Sequence, residues 1–214
     1  MEIKVKQLSP KIANINFDDQ DLMVNHFIRF SEWYESANKK FYHKDFTKAE
    51  ALIDYKKTRG LNYDTVTQAF NLPIASVIEA FKVLTASSSE EIFIHNLCLY
   101  LRNYGVEYLI STYGDGTDNE RAHEVAHALY FVDSYYREQM NQLFDELPLP
   151  IRDALVNYLK NENYNESVYK DEAQAYMATG LDDMPKIKQV QKHRADFIDV
   201  FLNTARNHGI TLWD

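Results

Sequence analysis

Five residues near the middle of the chain, His123, Glu124, Val125, Ala126 and His127, form an HExxH motif. On an α-helix, residues four positions apart lie about 40° apart around the axis, so the two histidine side chains point in the same direction. Two imidazoles placed in this way can bind one metal ion. The glutamate is close enough to act on a water molecule at the metal without being a ligand. The motif therefore predicts a metal centre that supports hydrolysis.

The residues around the motif predict the helix that the motif requires. Thr117 and Glu120 have the spacing of a capping box, which predicts a helix start immediately before the motif. Ala122, Val125 and Leu129 fall on the face opposite the histidines, where they can pack into a core. The alternative is a pair of histidines that share a polar surface and bind no metal.

A catalytic zinc ion usually takes three protein ligands, so the histidines need a third residue. Glu172 is the leading candidate, because it lies in a segment that predicts a second helix, ended by Gly180. At helical spacing Glu172 shares a face with Tyr169 and Tyr176, and this polar and aromatic face could look towards the first helix. The alternative is an ordinary solvated glutamate with two tyrosines packed at a surface.

Three other acidic residues remain candidates for the third ligand: Glu162, Glu166 and Asp133. Asp133 stands where an extended HExxHxxGxxH/D pattern has its third ligand. In that pattern a glycine turns the chain back towards the metal, and Tyr130 occupies the glycine position here. Asp133 and Ser134 are better interpreted as the N-terminal cap of the next helix.

An HExxH helix followed by a glutamate on a later helix resembles the zincin metallopeptidases, specifically the gluzincin arrangement. The resemblance covers residues 106–180. It implies that His123, His127 and Glu172 bind Zn²⁺. It also implies that Glu124 is the general base.

Zincins have an edge strand before the zinc helix, and the extended segment 106–113 matches that place. The exposed edge of residues 108–113 could bind the backbone of a substrate peptide as an added strand. The chain departs from the gluzincin ExxxD pattern, since Tyr176 stands where an aspartate that orients a histidine is expected. The strings RFSEWYES, before the motif, and HALYFVDSYYR, which starts at its second histidine, also resemble small, poorly characterised prokaryotic HExxH proteins.

These residues together predict a zinc-dependent metallopeptidase that hydrolyses peptide bonds in one or few protein substrates, with Glu124 activating the attacking water. Tyr176, Tyr169 and His193 are candidate donors to the developing oxyanion. One alternative is a zincin-fold binding or regulatory protein that keeps the metal without turnover. Another is a deformylase-like site with a cysteine ligand, but Cys98 lies in a predicted apolar helix without the matching local motif.

Composition is consistent with a compact enzyme. The chain has 214 residues, of which 45% are hydrophobic, enough for one core or for one core with a small lobe. Its single cysteine allows no intramolecular disulfide, which favours a reducing compartment. The net charge of −9 argues against nucleic acid as a partner. We expect a cytoplasmic protein that binds no membrane, with a monomer plausible and export by a dedicated secretion system still open.

The expected fold class is α+β and predominantly helical, with a zincin-like core. We expect an N-terminal helical lobe over residues 1–86 and a catalytic half over residues 87–214, which share one core. Apolar and polar residues alternate loosely over residues 24–34, which predicts a strand. The predicted helices span residues 46–59, 73–84, 92–104, 134–146, 149–161, 167–179 and 186–207.

Overall fold

The computed structural model describes residues 3–59, 69–114, 118–162, 164–180 and 188–212. As expected, the fold is α+β and mostly helical, with a small mixed sheet of four strands. The chain divides into two compact units, Met1–Gly116 and Thr117–Asp214. The boundary expected from the sequence, between residues 86 and 87, lies inside the first of these units.

The sheet belongs to the first unit, and its strands lie in the order β1, β2, β4, β3. The strands are β1 (Ile3–Ser9), β2 (Ile12–Phe17), β3 (Ala69–Pro73) and β4 (Tyr108–Tyr113). Strand β2 runs parallel to β4, whereas the pairs β1–β2 and β3–β4 are antiparallel. Three of these strands precede residue 87, in the part of the chain where the sequence predicted a helical lobe.

The expectation that segment 108–113 is an edge strand is wrong. Strand β4 lies inside the sheet, because Leu109 pairs with Ala13 of β2 on one side and with Leu72 of β3 on the other. Both edges of β4 are therefore used within the sheet, and a substrate peptide cannot add to it as a further strand. The buried pattern of β4, with five of its six residues buried, fits this interior place.

The predicted strand over residues 24–34 is also wrong, because this segment belongs to helix α1 (Gln20–Glu35). The side chain of Asp19 caps α1 by accepting a 2.9 Å hydrogen bond from the backbone N–H of Leu22. Met23, Phe27 and Phe30 are buried and recur at helical spacing. The apolar face and the cap together favour a helix over a strand here.

The remaining helices of the first unit are α2 (Lys48–Arg59), α3 (Ile74–Val83) and α4 (Ser89–Asn103). They confirm the helices predicted near 46–59, 73–84 and 92–104. Helix α4 begins with a capping box, in which Ser88 and Glu91 bond each other's backbone N–H groups. Buried side chains of β2, α1, α3 and α4 form one core in this unit, which includes the stacked rings of Phe27 and Phe70.

The second unit contains helices α5 (Asp118–Val132), α6 (Ser134–Glu146), α7 (Leu149–Asn161), α8 (Tyr169–Thr179), α9 (Lys188–Gln191) and α10 (Arg194–Asn207). A 3₁₀ turn, Glu166–Val168, leads into α8. The helices predicted over 134–146, 149–161 and 167–179 are confirmed, whereas the single helix predicted over 186–207 is divided into α9 and α10. Thr117 of the predicted capping box lies outside the described residues. Within the described ranges, no helix is long and apolar enough to cross a membrane.

Helix α8 lies at the centre of the second unit and packs against α5, α6, α7 and α10. Both α8 and its neighbour α5 carry small buried side chains: Ala122, Ala126 and Ala128 on α5, and Ala173, Ala175 and Ala178 on α8. The distance between two packed helices depends on the size of the side chains at their contact. Alanine-rich helices can therefore approach closely, which lets polar side chains of α5 and α8 meet inside the unit.

Candidate metal centre

Helices α5 and α8 bring together the three residues that the sequence proposed as metal ligands. His123 and His127 lie one turn apart on α5, and Glu172 lies on α8. The Nε2 atoms of the two histidines are 3.1 Å apart. The Oε2 atom of Glu172 lies 3.9 Å from Nε2 of His123 and 3.7 Å from Nε2 of His127. All three ligand atoms lie within 4.8 Å of one another, so the cluster could hold a metal ion.

A carboxylate defines which nitrogen of His127 carries the proton. Nδ1 of His127 lies 2.8 Å from Oδ1 of Asp171. An ionised carboxylate only accepts hydrogen bonds, so Nδ1 donates, and in the neutral imidazole that can bind a metal Nε2 keeps its lone pair. The carboxylate of Asp171 thus turns Nε2 of His127 towards His123 and Glu172.

A hydroxyl group has the same effect on His123. Nδ1 of His123 lies 3.3 Å from Oγ1 of Thr179, in the last residue of α8. The hydroxyl hydrogen of Thr179 is donated to the carbonyl oxygen of Ala175, at 2.8 Å. The hydroxyl can therefore only accept from His123, so Nδ1 of His123 is the donor. Its Nε2 atom is left with a lone pair that faces the cluster.

Two nitrogen lone pairs and one carboxylate oxygen therefore converge on one point. Three electron-rich atoms at this separation repel one another unless a proton or a cation lies between them. A metal ion satisfies all three at once, and the outer hydrogen bonds of the two rings resemble those of metal-bound histidines generally. The donor set of two imidazoles and one carboxylate suits zinc and other divalent transition metals.

The electrostatics of the cluster favour one positive charge between the two rings. Burial, together with the charge of His127, lowers the pKa of His123 far below its ordinary value. Burial alone would also lower the pKa of His127. The nearby carboxylates of Asp171, Glu172 and Glu124 outweigh that effect and raise the pKa of His127 to about 10.

Glu124, the predicted general base, is buried on α5 next to the candidate ligand His123, with 8% of its surface exposed. Its charge acts on His127, but it is not one of the three residues whose atoms converge. This is the separation between ligands and base that the HExxH motif predicts. Its catalytic role remains a prediction.

Tyr176, one of the predicted oxyanion donors, lies beside the cluster. Its ring packs edge-on against His123, with ring centroids 4.8 Å apart. Burial, followed by the charge of Glu172, raises the pKa of Tyr176 well above its ordinary value, so its hydroxyl stays protonated and able to donate. Hydrogen bonds also link it to Tyr158 and Tyr164. Tyr169 is half-buried at the first residue of α8, and its role remains a prediction.

The other acidic candidates occupy different structural positions. Asp133 caps α6, accepting hydrogen bonds at 2.9 and 3.0 Å from the backbone N–H groups of Tyr135 and Tyr136. Its second oxygen lies 2.9 Å from Nε2 of His208. The interpretation of Asp133 as a helix cap is therefore confirmed. Glu162 is the C-terminal cap of α7, and Glu166 is exposed in the 3₁₀ turn.

Two further residues from the sequence analysis also lie apart from the cluster. Cys98 is fully buried in the core of the first unit, and burial raises the pKa of its thiol to about 12. It therefore stays protonated at neutral pH, unlike a cysteine that ligates a metal. His193 lines a small pocket with Pro148, Pro150, Ile151 and Lys192, none of which belongs to the metal cluster.

No known protein family, curated protein or solved structure matches this chain. The interpretation of the site therefore depends on its own geometry.

The residues that orient the two histidines were not predicted from the sequence. The gluzincin pattern pointed only to position 176, where Tyr176 stands in place of the expected aspartate. The available signals were the position of Asp171 directly before Glu172, and the seven-residue spacing that places Thr179 on the same helical face as Glu172. Both residues are supplied by α8, so one helix provides the third candidate ligand and both orienting groups.

Proposed function

We propose that this protein is a zinc-dependent metallopeptidase with a zincin-like core, which hydrolyses peptide bonds in one or few protein substrates. The observation that carries the proposal is the convergence of His123, His127 and Glu172, with Glu124 beside them and outside the ligand set. Catalytic zinc sites commonly use this number and type of protein ligand and keep a fourth position for water.

The residues divide the chemistry of amide hydrolysis between them. When bound by His123, His127 and Glu172, zinc would lower the pKa of a water molecule and polarise the substrate carbonyl. The Glu124 carboxylate takes the proton of the attacking water. It then passes this proton to the nitrogen of the leaving amine. Tyr176, whose ring packs against His123, is a candidate donor to the developing oxyanion.

The test separates the base from a ligand with two isosteric substitutions. Glu124→Gln removes the base and keeps the ligands, so we expect about one zinc per chain and a loss of hydrolysis of about 10²-fold or more. Glu172→Gln changes a ligand and should lower the zinc content itself. Zinc is measured by elemental analysis, and cleavage by mass spectrometry of new termini in a proteome-derived peptide library. The matched control is Glu138→Gln, at an exposed site on α6, which should leave both readouts unchanged.

The outcomes distinguish the proposal from its alternative. Cleavage that survives Glu124→Gln would contradict the assigned mechanism. Wild-type protein that retains zinc and cleaves neither peptides nor folded proteins would instead identify a binding or regulatory protein that keeps the metal. Equal zinc content in the Glu124 and Glu172 variants would contradict the division between base and ligand.

A further inference from the structure

A chain of hydrogen bonds runs from the metal cluster into the interior of the second unit. It starts at His127, whose Nδ1 donates to Oδ1 of Asp171 at 2.8 Å. The side-chain amide of Gln174 donates to the same oxygen at 3.1 Å. The hydroxyl of Tyr136 then donates to the carbonyl oxygen of Gln174 at 2.7 Å. Three side chains thus connect α6 and α8 to one ligand on α5.

The two inner members of this chain lie in an apolar interior, where polar groups are costly. Tyr136 and Gln174 are both 0% exposed. A buried amide or phenol costs free energy unless its hydrogen bonds are made, and apolar side chains would fill the same space without that cost. The polar pair instead fixes the orientation of the Gln174 side-chain amide. The Tyr136 hydroxyl occupies the carbonyl oxygen of Gln174, which turns the amide nitrogen towards Asp171.

These hydrogen bonds end at the carboxylate of Asp171, whose orientation determines the orientation of His127. Asp171 is partly exposed, with 26% of its side-chain surface accessible, so packing alone does not hold its carboxylate. The Gln174 amide anchors the same oxygen that accepts from His127. A carboxylate fixed in this way holds the imidazole in one tautomer and one orientation, which strengthens metal binding.

We propose that Tyr136 and Gln174 are positioning residues that act through Asp171 to hold His127 for the metal, and that they set the affinity of the site. The inference rests on the metal centre of the proposed function and not on its hydrolytic activity. None of the three residues is a ligand, so each should change how tightly the metal is held and leave the number of sites per chain unchanged.

The first measurement is the zinc affinity of the full chain, determined by competition with a chromophoric chelator. Asp171→Ala should weaken zinc binding by about 10- to 100-fold, as for other residues that orient a metal-bound histidine. The matched control is Asp153→Ala, which removes an exposed carboxylate from α7 in the same unit. This control should keep the wild-type affinity.

The second measurement distinguishes a connected chain from three separate structural roles. Tyr136→Phe and Gln174→Met each break one link at nearly constant volume, and each should weaken zinc binding by a smaller factor than Asp171→Ala. In the Asp171→Ala background, neither change should weaken binding further, because the path to His127 is already broken. If the residues had independent structural roles, the factors by which the two substitutions weaken zinc binding would instead multiply.

A spectroscopic measurement distinguishes a change in ligand geometry from a change in the stability of a variant. With Co²⁺ in place of zinc, the visible absorption bands report the geometry of the ligands. They should shift in Asp171→Ala and Tyr136→Phe and stay unchanged in Asp153→Ala. Circular dichroism and thermal unfolding of the metal-free variants establish that each is folded under the conditions of the assay.

The results separate this inference from the proposed function. Wild-type protein that binds no zinc would contradict the metal centre itself. If wild-type protein binds zinc and Asp171→Ala binds it equally well, the positioning role is overturned and the metal centre stands. If Tyr136→Phe weakens binding by the same factor with and without Asp171, the connection through Gln174 is overturned.

Discussion

At the scale of single residues, the orientation of two imidazole rings explains why the cluster suits a metal ion. Nδ1 of His127 is hydrogen-bonded to Asp171, and Nδ1 of His123 is hydrogen-bonded to Thr179. Both Nε2 atoms therefore face Glu172. In the gluzincin pattern an aspartate four residues after the glutamate was expected to orient a histidine. Here Tyr176 packs against His123 instead, and the orienting groups stand one residue before and seven residues after Glu172.

The role of Thr179 leads to a prediction based on two substitutions. Thr179→Val keeps the shape of the side chain and removes the acceptor for His123, so it should weaken zinc binding by about 10-fold. Thr179→Ser keeps the hydroxyl and should retain affinity close to wild type. Chelator competition measures both. Equal affinities for the valine and serine variants would contradict the orienting role.

The sequence was sufficient to predict that His123 and His127 lie on one face, because their spacing on a helix follows from helical geometry alone. His123, His127 and Glu172 meet as their positions suggested. The orienting residues depend on how α8 is rotated and shifted against α5, which is decided by packing. Asp133 could be identified as a helix cap from the sequence alone, because capping is a local interaction.

At the scale of secondary-structure elements, Asp133 joins three parts of the second unit. It follows α5, caps α6 and lies 2.9 Å from Nε2 of His208 at the end of α10. Asp133→Ala removes the cap, so we expect a loss of about 1 kcal/mol in the free energy of unfolding. Zinc content should not change. Chemical denaturation measures the free energy of unfolding, and elemental analysis measures the zinc content. A loss of zinc in Asp133→Ala would indicate that Asp133 is a ligand.

The same residue predicts a dependence of stability on pH. Burial opposes ionisation of Asp133, but hydrogen bonds from His208 and from the backbone of Tyr136 and Tyr135 hold its pKa below the ordinary value of 3.8. A carboxylate with a lowered pKa stabilises the fold above its unfolded pKa and loses that effect as the pH falls through its folded pKa. The difference in melting temperature between wild type and Asp133→Ala should therefore be full at pH 7 and shrink below pH 3.8. A difference that does not change with pH would contradict this account.

Helices with clear caps and apolar faces could be predicted, whereas the sheet could not. Strand β4 was expected as an extended segment before the motif helix, but its neighbours β2 and β3 come from distant parts of the chain. Its interior place depends on these long-range pairings, which no local pattern contains. Similarly, the break between α9 and α10 contains no glycine or proline, so the sequence had no local signal for it.

At the scale of the whole molecule, burial of the site predicts restricted specificity. Glu124 and His127 are 8% and 2% exposed, and the side chain of His123 is 19% exposed. Because strand β4 is interior, it offers no free edge to hold an extended peptide. We therefore expect negligible cleavage of casein and other unfolded general substrates, and cleavage of one or few protein targets.

This prediction is checked by incubating the zinc-loaded protein with casein, with Glu124→Gln as the matched control. Rapid and broad digestion that depends on Glu124 would contradict restricted specificity and would leave the peptidase assignment standing. Digestion that is equal with the control would point to a contaminating protease.

The most direct test of the central claim is the zinc content of protein purified without added metal. The convergence of His123, His127 and Glu172 predicts about one zinc per chain, and a His123→Ala, His127→Ala double variant that is folded and nearly free of zinc. Stoichiometric zinc in the double variant, or wild-type protein that binds no zinc even after it is supplied, would contradict the account.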